Sequence, residues 1–292
     1  MVKEKKVNVL SMVLFVIIAL YTITITALLV WGFLTSTKEY YTDFRINKLW
    51  LPKKWSFSNY AYIYTEWAVP LESTGSNAEV PMLGQLLNTL IVCGLSSLCS
   101  AFFPCLVGYL VAKYDYKFSK LLYAVALIVM ALPIVGAQSA ELQLLKTLNL
   151  YDEYILVFFH KSTYLGLYFF VYVAMFKVIP NDFYEAAALD GANDFLIFFK
   201  IMFPMASSTF FTVCLLIFVA NWNDYQYVLM YLPSMPTLAY GVYSLSVSPL
   251  QKVNNAPMQM AGAFALMLPV LIIFIILKDK LMGNLSMGGL KE

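Results

Sequence analysis

Few residues in this chain have the means to do covalent chemistry, and their spacing does not bring them together. His160 is the only histidine, so neither a Ser-His-Asp triad nor a histidine metal site has a base or ligand set to build on. Cys93, Cys99, Cys105 and Cys214 lie inside long apolar runs without a C-x-x-C spacing. There cysteine is expected to act as a small apolar residue, not as a metal ligand or disulfide partner. No paired acids sit within an apolar run, and no G-x-x-x-x-G-K-[ST] phosphate loop occurs. The expectation is a chain with no catalytic residues, no metal and no cofactor of its own. The residue pattern that stands out suits recognition instead. Asn181-Asp182-Phe183-Tyr184-Glu185-Ala186-Ala187-Ala188-Leu189-Asp190-Gly191-Ala192-Asn193-Asp194 sets the carboxylates of Glu185 and Asp190 around small alanines. Alanines let a partner's backbone approach closely, and the two acids offer ionic anchors.

The local sequence dictates how that run is held. Pro180 ends what precedes it, because it cannot donate a helical hydrogen bond. Asn181 or Asp182 can cap a new helix, with acidic residues near its positive end. Glu185 to Leu189 are strong helix formers, and Gly191 breaks the run at a position able to take positive φ. Phe195, Phe198, Phe199 and Met202 then resume at helical spacing until Pro204. The spacing predicts a short helix, a turn and a second amphipathic helix lying at a membrane surface.

The membrane follows from composition. Of 292 residues, 61% are hydrophobic and 12% charged, about half the charge of a soluble globular chain. Uncharged runs cover 7–37, 80–112, 121–140, 162–176, 201–223 and 253–277. A span needs about 20 mainly apolar residues, and the run from Ser162 reaches that if its helix begins near Tyr154. Six spans are expected. The uncharged segment from Tyr225 to Gln251 is divided by Pro233, Pro236 and Pro249, and reads as a loop with a partly inserted turn. The first apolar run is longer than a signal-peptide core and lacks a cleavage site, so it is expected to be retained. The net charge of +2 is too small to suggest nucleic acid. The expected layout is an N-terminus at 1–8, a first span at 9–34, a loop at 35–80, a core at 81–280 containing the 181–204 loop, and a tail at 281–292.

Lysines set the expected orientation. Lys3, Lys5 and Lys6 precede the first span, Lys113, Lys117 and Lys120 fill the turn after the second, and Lys278, Lys280 and Lys291 follow the last. The positive-inside rule makes these cytoplasmic, N-in and C-in, against which stand Lys38, Arg45, Lys48, Lys53 and Lys54 in the first outer loop. This topology puts the 181–204 loop in the cytoplasm. Trp50, Trp55 and Trp67 suit an interfacial aromatic belt or stacking on sugar faces. Asn88, Gln138, Asn221 and Asn223 would either line a translocation path or hydrogen-bond between helices. His160 and Lys161 are expected to snorkel to the outer interface. An autonomous secondary transporter would need inverted repeats, broken helices and buried ionisable residues, which the uncharged spans do not supply.

The order Glu185-Ala186-Ala187-Ala188-Leu189-Asp190-Gly191-Ala192 with the trailing Pro204 resembles the E-A-A-x-x-x-G loop of ABC importer permeases. Asn221-Trp222-Asn223-Asp224 and the tail Gly283-Asn284-Leu285-Ser286-Met287-Gly288-Gly289-Leu290-Lys291 are similar to the carbohydrate-importer subgroup that includes the maltose-system G subunit. The resemblance runs from about Gln85 to the C-terminus, and the long outer loop departs from it. It implies an all-α bacterial cytoplasmic-membrane protein of type I importer architecture. It further implies coupling through Glu185, Ala186, Ala187, Asp190, Gly191 and Pro204 to a dimer of separate ATPase subunits, which would carry the ATP and Mg. A second homologous permease subunit and an extracytoplasmic sugar-binding protein complete the implied assembly.

Overall fold

The structure, a computed structural model, describes residues 9–71, 78–132 and 136–285, with side chains to residue 276. Lys3, Lys5, Lys6 and the tail from Ser286 lie outside the described residues. Helices α1 (Val9–Ser36), α3 (Met82–Lys113) and α13 (Ala256–Leu285) are long and apolar, as is the continuous helical stretch Asp194–Trp222. These four are long and apolar enough to cross a membrane. The other two expected spans are shorter. One corresponds to the 15-residue helix α4 (Lys117–Ala131). The other is broken into α6 (Ile155–Phe159) and α7 (Leu167–Val178). At the break the Lys161 ammonium bonds Asp224, 63 positions away, and the Ser162 hydroxyl turns back to the Val157 carbonyl at 2.7 Å. The 225–251 segment forms only the short helices α11 (Tyr225–Tyr231) and α12 (Leu238–Val247).

The chain divides into two compact units, residues 1–67 with 242–268, and residues 68–241 with 269–292. Residues 242–268, expected within the core 81–280, thus group with the first span and outer loop. In this first unit α1 exposes its apolar side chains, and three of its mid-helix threonines bond back within the helix, while the Thr35 hydroxyl near its end is buried without a partner. Thr22, Thr24 and Thr26 each donate to the carbonyl four residues back at 2.8 Å, which removes the cost of a bare hydroxyl in hydrocarbon. Gly32 admits Phe264 and Met260 of α13 against α1. The end of α1 is capped from helix α2 (Ser58–Thr65), where the Asn59 amide donates to the carbonyls of Ser36 and Lys38 at 2.9 and 3.0 Å. Lys38 is fully buried and donates to the Asn47 and Trp50 carbonyls at 2.7 and 2.6 Å. Burial pushes its ammonium below the usual lysine range. One of the lysines that opposed the expected orientation is therefore a loop staple. Trp50 and Trp55 are exposed but Trp67 is buried.

The second unit is built around α3. A two-stranded antiparallel hairpin, β1 (Ala68–Pro70) and β2 (Glu79–Pro81), pairs Val69 with Val80 and leads into it. Ala101, Cys105 and Tyr109 of α3 share one core with Tyr172 and Phe176 of α7 and with Ala206, Phe210 and Val213 of α10 (Phe203–Trp222). The four cysteines are free thiols, three of them buried. At Gly108 the two helices meet backbone to backbone. An added Cβ there would lie 2.8 Å from Tyr172 Cβ and 3.3 Å from the Val173 nitrogen. Small residues permit such approach between membrane helices, where apolar surface alone gives little drive to associate. Gly108→Val is expected to separate α3 from α7 and cost about 1–3 kcal/mol of stability, read as a lowered thermal midpoint in detergent. Gly94→Val, where a Cβ meets nothing within 4 Å, is the matched control.

Candidate functional site

The 181–204 segment folds as helix α8 (Asp182–Leu189), a turn, the single helical turn α9 (Asp194–Ile197) and a π-helical turn Phe198–Met202 that runs into α10. Asp182 and Glu185 lie in the first turn of α8, where a carboxylate meets the positive end of the helix dipole. Asn181, one of the two expected caps, takes the N-cap position of α8, but its side chain makes no capping bond. Its Oδ1 accepts instead from Lys113 Nζ at 2.9 Å, while the same ammonium donates to the Ile179 carbonyl at 2.5 Å. One lysine at the end of α3 thereby closes α7 and anchors the start of α8.

The turn after α8 is fully bonded. Gly191 has φ +82, and its N–H donates to the Ala188 carbonyl at 3.1 Å while Ala192 N–H donates to Ala187 at 3.0 Å. That pair of bonds is a Schellman closure, which needs a left-handed residue and so favours glycine. Asn193 then caps α9, its Oδ1 accepting from Leu196 N–H at 2.8 Å. The Tyr184 hydroxyl donates to Asp194 Oδ1 at 3.0 Å and ties the two helices. Ala187 is buried in the α3–α7–α10 core. Glu185, Ala186, Asp190 and Gly191 are exposed, and so are Leu189 at 89% and Phe195 at 78%. The element is an internally bonded knuckle that exposes small residues, the carboxylates of Asp182, Glu185, Asp190 and Asp194, and the apolar side chains of Phe183, Leu189 and Phe195.

Pro204 does not end the second helix. The helical stretch continues from Asp194 to Trp222, with Pro204 in the first turn of α10. The widened π turn just before it absorbs the missing N–H and the ring's clash with the preceding turn. Of the expected amphipathic face, Phe198 and Met202 are buried, while Phe195 and Phe199 are exposed.

The four candidate path residues separate into two kinds. Asn88 donates to the Pro236 carbonyl at 3.1 Å and accepts from the Tyr154 hydroxyl at 3.0 Å, and Asn221 donates to Ser96 Oγ at 2.8 Å. Asn221 bridges α10 and α3, and Asn88 ties α3 to the segments that lead into α12 and α6. Gln138, at the start of α5 (Gln138–Thr147), and Asn223 are exposed. Asn223 donates only to the Val219 carbonyl within its own helix, at 3.1 Å.

Around them lies a polar cluster that residue type alone did not assemble. Lys161, with its side chain 5% exposed, bonds Asp224 at 2.5 Å and lies 4.1 Å over the Tyr227 ring. Asp224 also caps α11 by accepting from Tyr227 N–H at 3.0 Å. His160 Nδ1 lies 3.3 Å from the Tyr227 hydroxyl and Nε2 lies 3.6 Å from Glu141, which accepts from the Tyr231 hydroxyl at 3.1 Å. Lys161 does not snorkel. Its partner stood in the quoted Asn-Trp-Asn-Asp run, but the 63 positions between them carry no periodic signal. Among the described residues no group of three or more His, Cys, Asp or Glu could hold a metal ion.

Comparison with known proteins decides what this architecture is. Residues 105–282, which include the knuckle and the polar partners Lys161 and Asp224, match the family described as the binding-protein-dependent transport system inner membrane component. The chain belongs to this family. It is a transport component of the bacterial inner membrane rather than an enzyme. It is 28% identical over 238 residues to the melibiose/raffinose/stachyose import permease protein MelC of Bacillus subtilis, covering 78% of this chain and 84% of that protein. To the arabinooligosaccharides transport system permease protein AraQ of the same species it is 28% identical over 253 residues, covering 82% and 80%. The fold is similar to that of a chain in the crystal structure of a bacterial ABC transporter involved in the import of the acidic polysaccharide alginate. The TM-score is 0.70 at 17% identity, over 94% of this chain and 99% of that one.

Two tests follow from the geometry. Asp224→Asn leaves the buried Lys161 ammonium without its counter-charge and is expected to cost about 2–3 kcal/mol. The double variant Lys161→Met with Asp224→Asn should recover part of that loss in thermal unfolding, since it removes both charges. Lys113→Met is expected to raise amide exchange across 182–194 while leaving α1 unchanged. Equal protection in both proteins would show that the lysine does not anchor α8.

Proposed function

We propose that this permease is one of two homologous transmembrane subunits of an ATP-driven sugar or oligosaccharide importer, and that it receives force through the knuckle at Glu185–Pro204. The single observation behind this is the exposed, internally bonded turn around Gly191. It has no catalytic or metal group of its own, yet it is built into the helix core through Ala187 and offers Glu185, Ala186, Asp190, Leu189 and Phe195 outward. Such a surface fits a groove on a separate ATPase dimer, whose chains hold the ATP and Mg. Carbohydrate as cargo is supported by the relatives, whose names speak of melibiose, raffinose, stachyose and arabinooligosaccharides.

In this reading six spans are completed by the shorter α4 and α6–α7 segments, with both termini in the cytoplasm and the Lys113–Lys120 turn on the same side. ATP binding closes the ATPase dimer and drives the knuckle. Because the turn is rigid and Tyr184 and Lys113 lock it, the displacement passes to α3, α7 and α10 as a rigid-body step between packed states. An extracytoplasmic binding protein delivers sugar to the opposite face. Gln138 and Asn223, whose side chains are open, are the better candidates for the path; Asn88 and Asn221 are spent on packing contacts.

Gly191→Pro forces negative φ and removes the N–H that closes the turn. In the reconstituted importer it is expected to leave ATP hydrolysis measurable while sugar uptake falls by about tenfold or more, an effect of over about 1.4 kcal/mol. Glu185→Lys is expected to weaken co-purification of the ATPase. Uptake by the chain alone in liposomes, driven by an ion gradient without ATP, would overturn this reading in favour of a secondary transporter.

A further inference from the structure

At the root of α8, the end of α3, the start of α4 and the end of α7 border an open pocket of about 430 Å³ whose lining includes Lys113, Asp115, Lys120, Tyr123 and Lys177. Its charge is unbalanced. Lys113 spends two of its three N–H donors on the Ile179 carbonyl and Asn181. Lys120 meets Asp115 at 3.0 Å, but the two side chains are 75% and 83% exposed, so the pair is screened and readily exchanged. Lys177 lies 5.7 Å over the Tyr123 ring, and among the described residues no carboxylate is within ion-pairing distance of it. Lys117, in the first turn of α4 beside this lining, adds a further cation.

The surface beside the cavity is apolar. The Tyr116 and Phe118 rings stack at 6.3 Å and 15° and are both exposed. Leu121 follows on α4, and Val178 at the end of α7 is 82% exposed. A pocket of lysines at the end of membrane helices, opening beside bare aromatic and aliphatic side chains, matches an amphiphile with an anionic head.

We propose that this cavity binds the phosphate headgroup of an anionic phospholipid, with Lys120 and Lys177 as direct phosphate partners and Lys113 behind them. Only the assignment to the cytoplasmic leaflet rests on the orientation proposed above. Because Lys113 also holds Asn181, a bound headgroup would lie against the root of the knuckle and stiffen it.

The test uses the full-length chain, stripped of lipid in nonionic detergent and titrated with phosphatidylglycerol or phosphatidylcholine, bound lipid being counted by native mass spectrometry. Phosphatidylglycerol is expected to be retained and phosphatidylcholine not. Each lysine at such a site contributes a factor of about five, so Lys120→Gln with Lys177→Gln should weaken phosphatidylglycerol binding by about 25-fold. Lys53→Gln with Lys54→Gln should leave it unchanged. Lys120→Arg with Lys177→Arg should keep it, which separates loss of charge from loss of fold. Equal retention of the two lipids, or unchanged affinity in the glutamine variant, overturns the proposal. So does displacement by inorganic phosphate at equal concentration, which would mark a free-anion site. A glutamine variant that keeps the lipid but loses ATPase co-purification would assign the lysines to a protein contact instead. Since binding is read on the chain alone, its failure leaves the force-transfer reading standing, and the reverse also holds.

Discussion

At Gly108 the backbone of α7 lies directly on α3, and the arrangement of the functional face follows from that contact. With no Cβ between them, Tyr109 reaches Phe176 and Phe198, with ring centroids 5.4 and 5.0 Å away. The same closeness brings Lys113 to the end of α7, where its ammonium satisfies the Ile179 carbonyl and catches Asn181. The knuckle is thus anchored at its root by one side chain and at its middle by Ala187 in the core. In hydrocarbon, apolar surface alone gives helices little reason to associate. Close fit and hydrogen bonds to otherwise bare groups must do so instead.

The same scarcity of solvent explains how the spans treat their polar residues. Many hydroxyls of α1 and α3 bond back to their own helix, as Thr26 does to Thr22 and Ser96 to Val92. Amides that cannot do so cross to a neighbour, as Asn221 does to Ser96. The charged pair Lys161 and Asp224 is kept by proximity, a capping bond and a ring face. On the turn after α8, Leu189 and Phe195 stand exposed beside the carboxylates of Glu185 and Asp190. Exposed apolar side chains rimmed by carboxylates mark a surface suited to a partner, and the fully bonded turn keeps them in place.

Parts of this were legible in the residues. Gly191 was readable as a left-handed turn because only that conformation closes a helix so abruptly after Leu189, and the long uncharged runs marked α1, α3 and α13. Pro204 was misread as a stop because one residue's rule cannot foresee a π turn that accommodates it. Asn181 holds the N-cap position of α8, one of the two the residues offered, but Lys113, 68 positions away, takes its side chain, which no local rule foresees. The fourth span was read as one helix because hydropathy averages over the break that Lys161 makes by turning inward to Asp224.

By itself, the sequence determined membrane residence, the helical class and the knuckle, because these depend on composition and on bonds spanning a few residues. Tertiary structure alone decided which polar residues are spent holding helices and which stay open. It also decided that Lys113 anchors the knuckle, and that lysines from α3, α4 and α7 share one cavity. Those outcomes depend on which helices touch, and contact between distant segments is set by packing that no local spacing encodes.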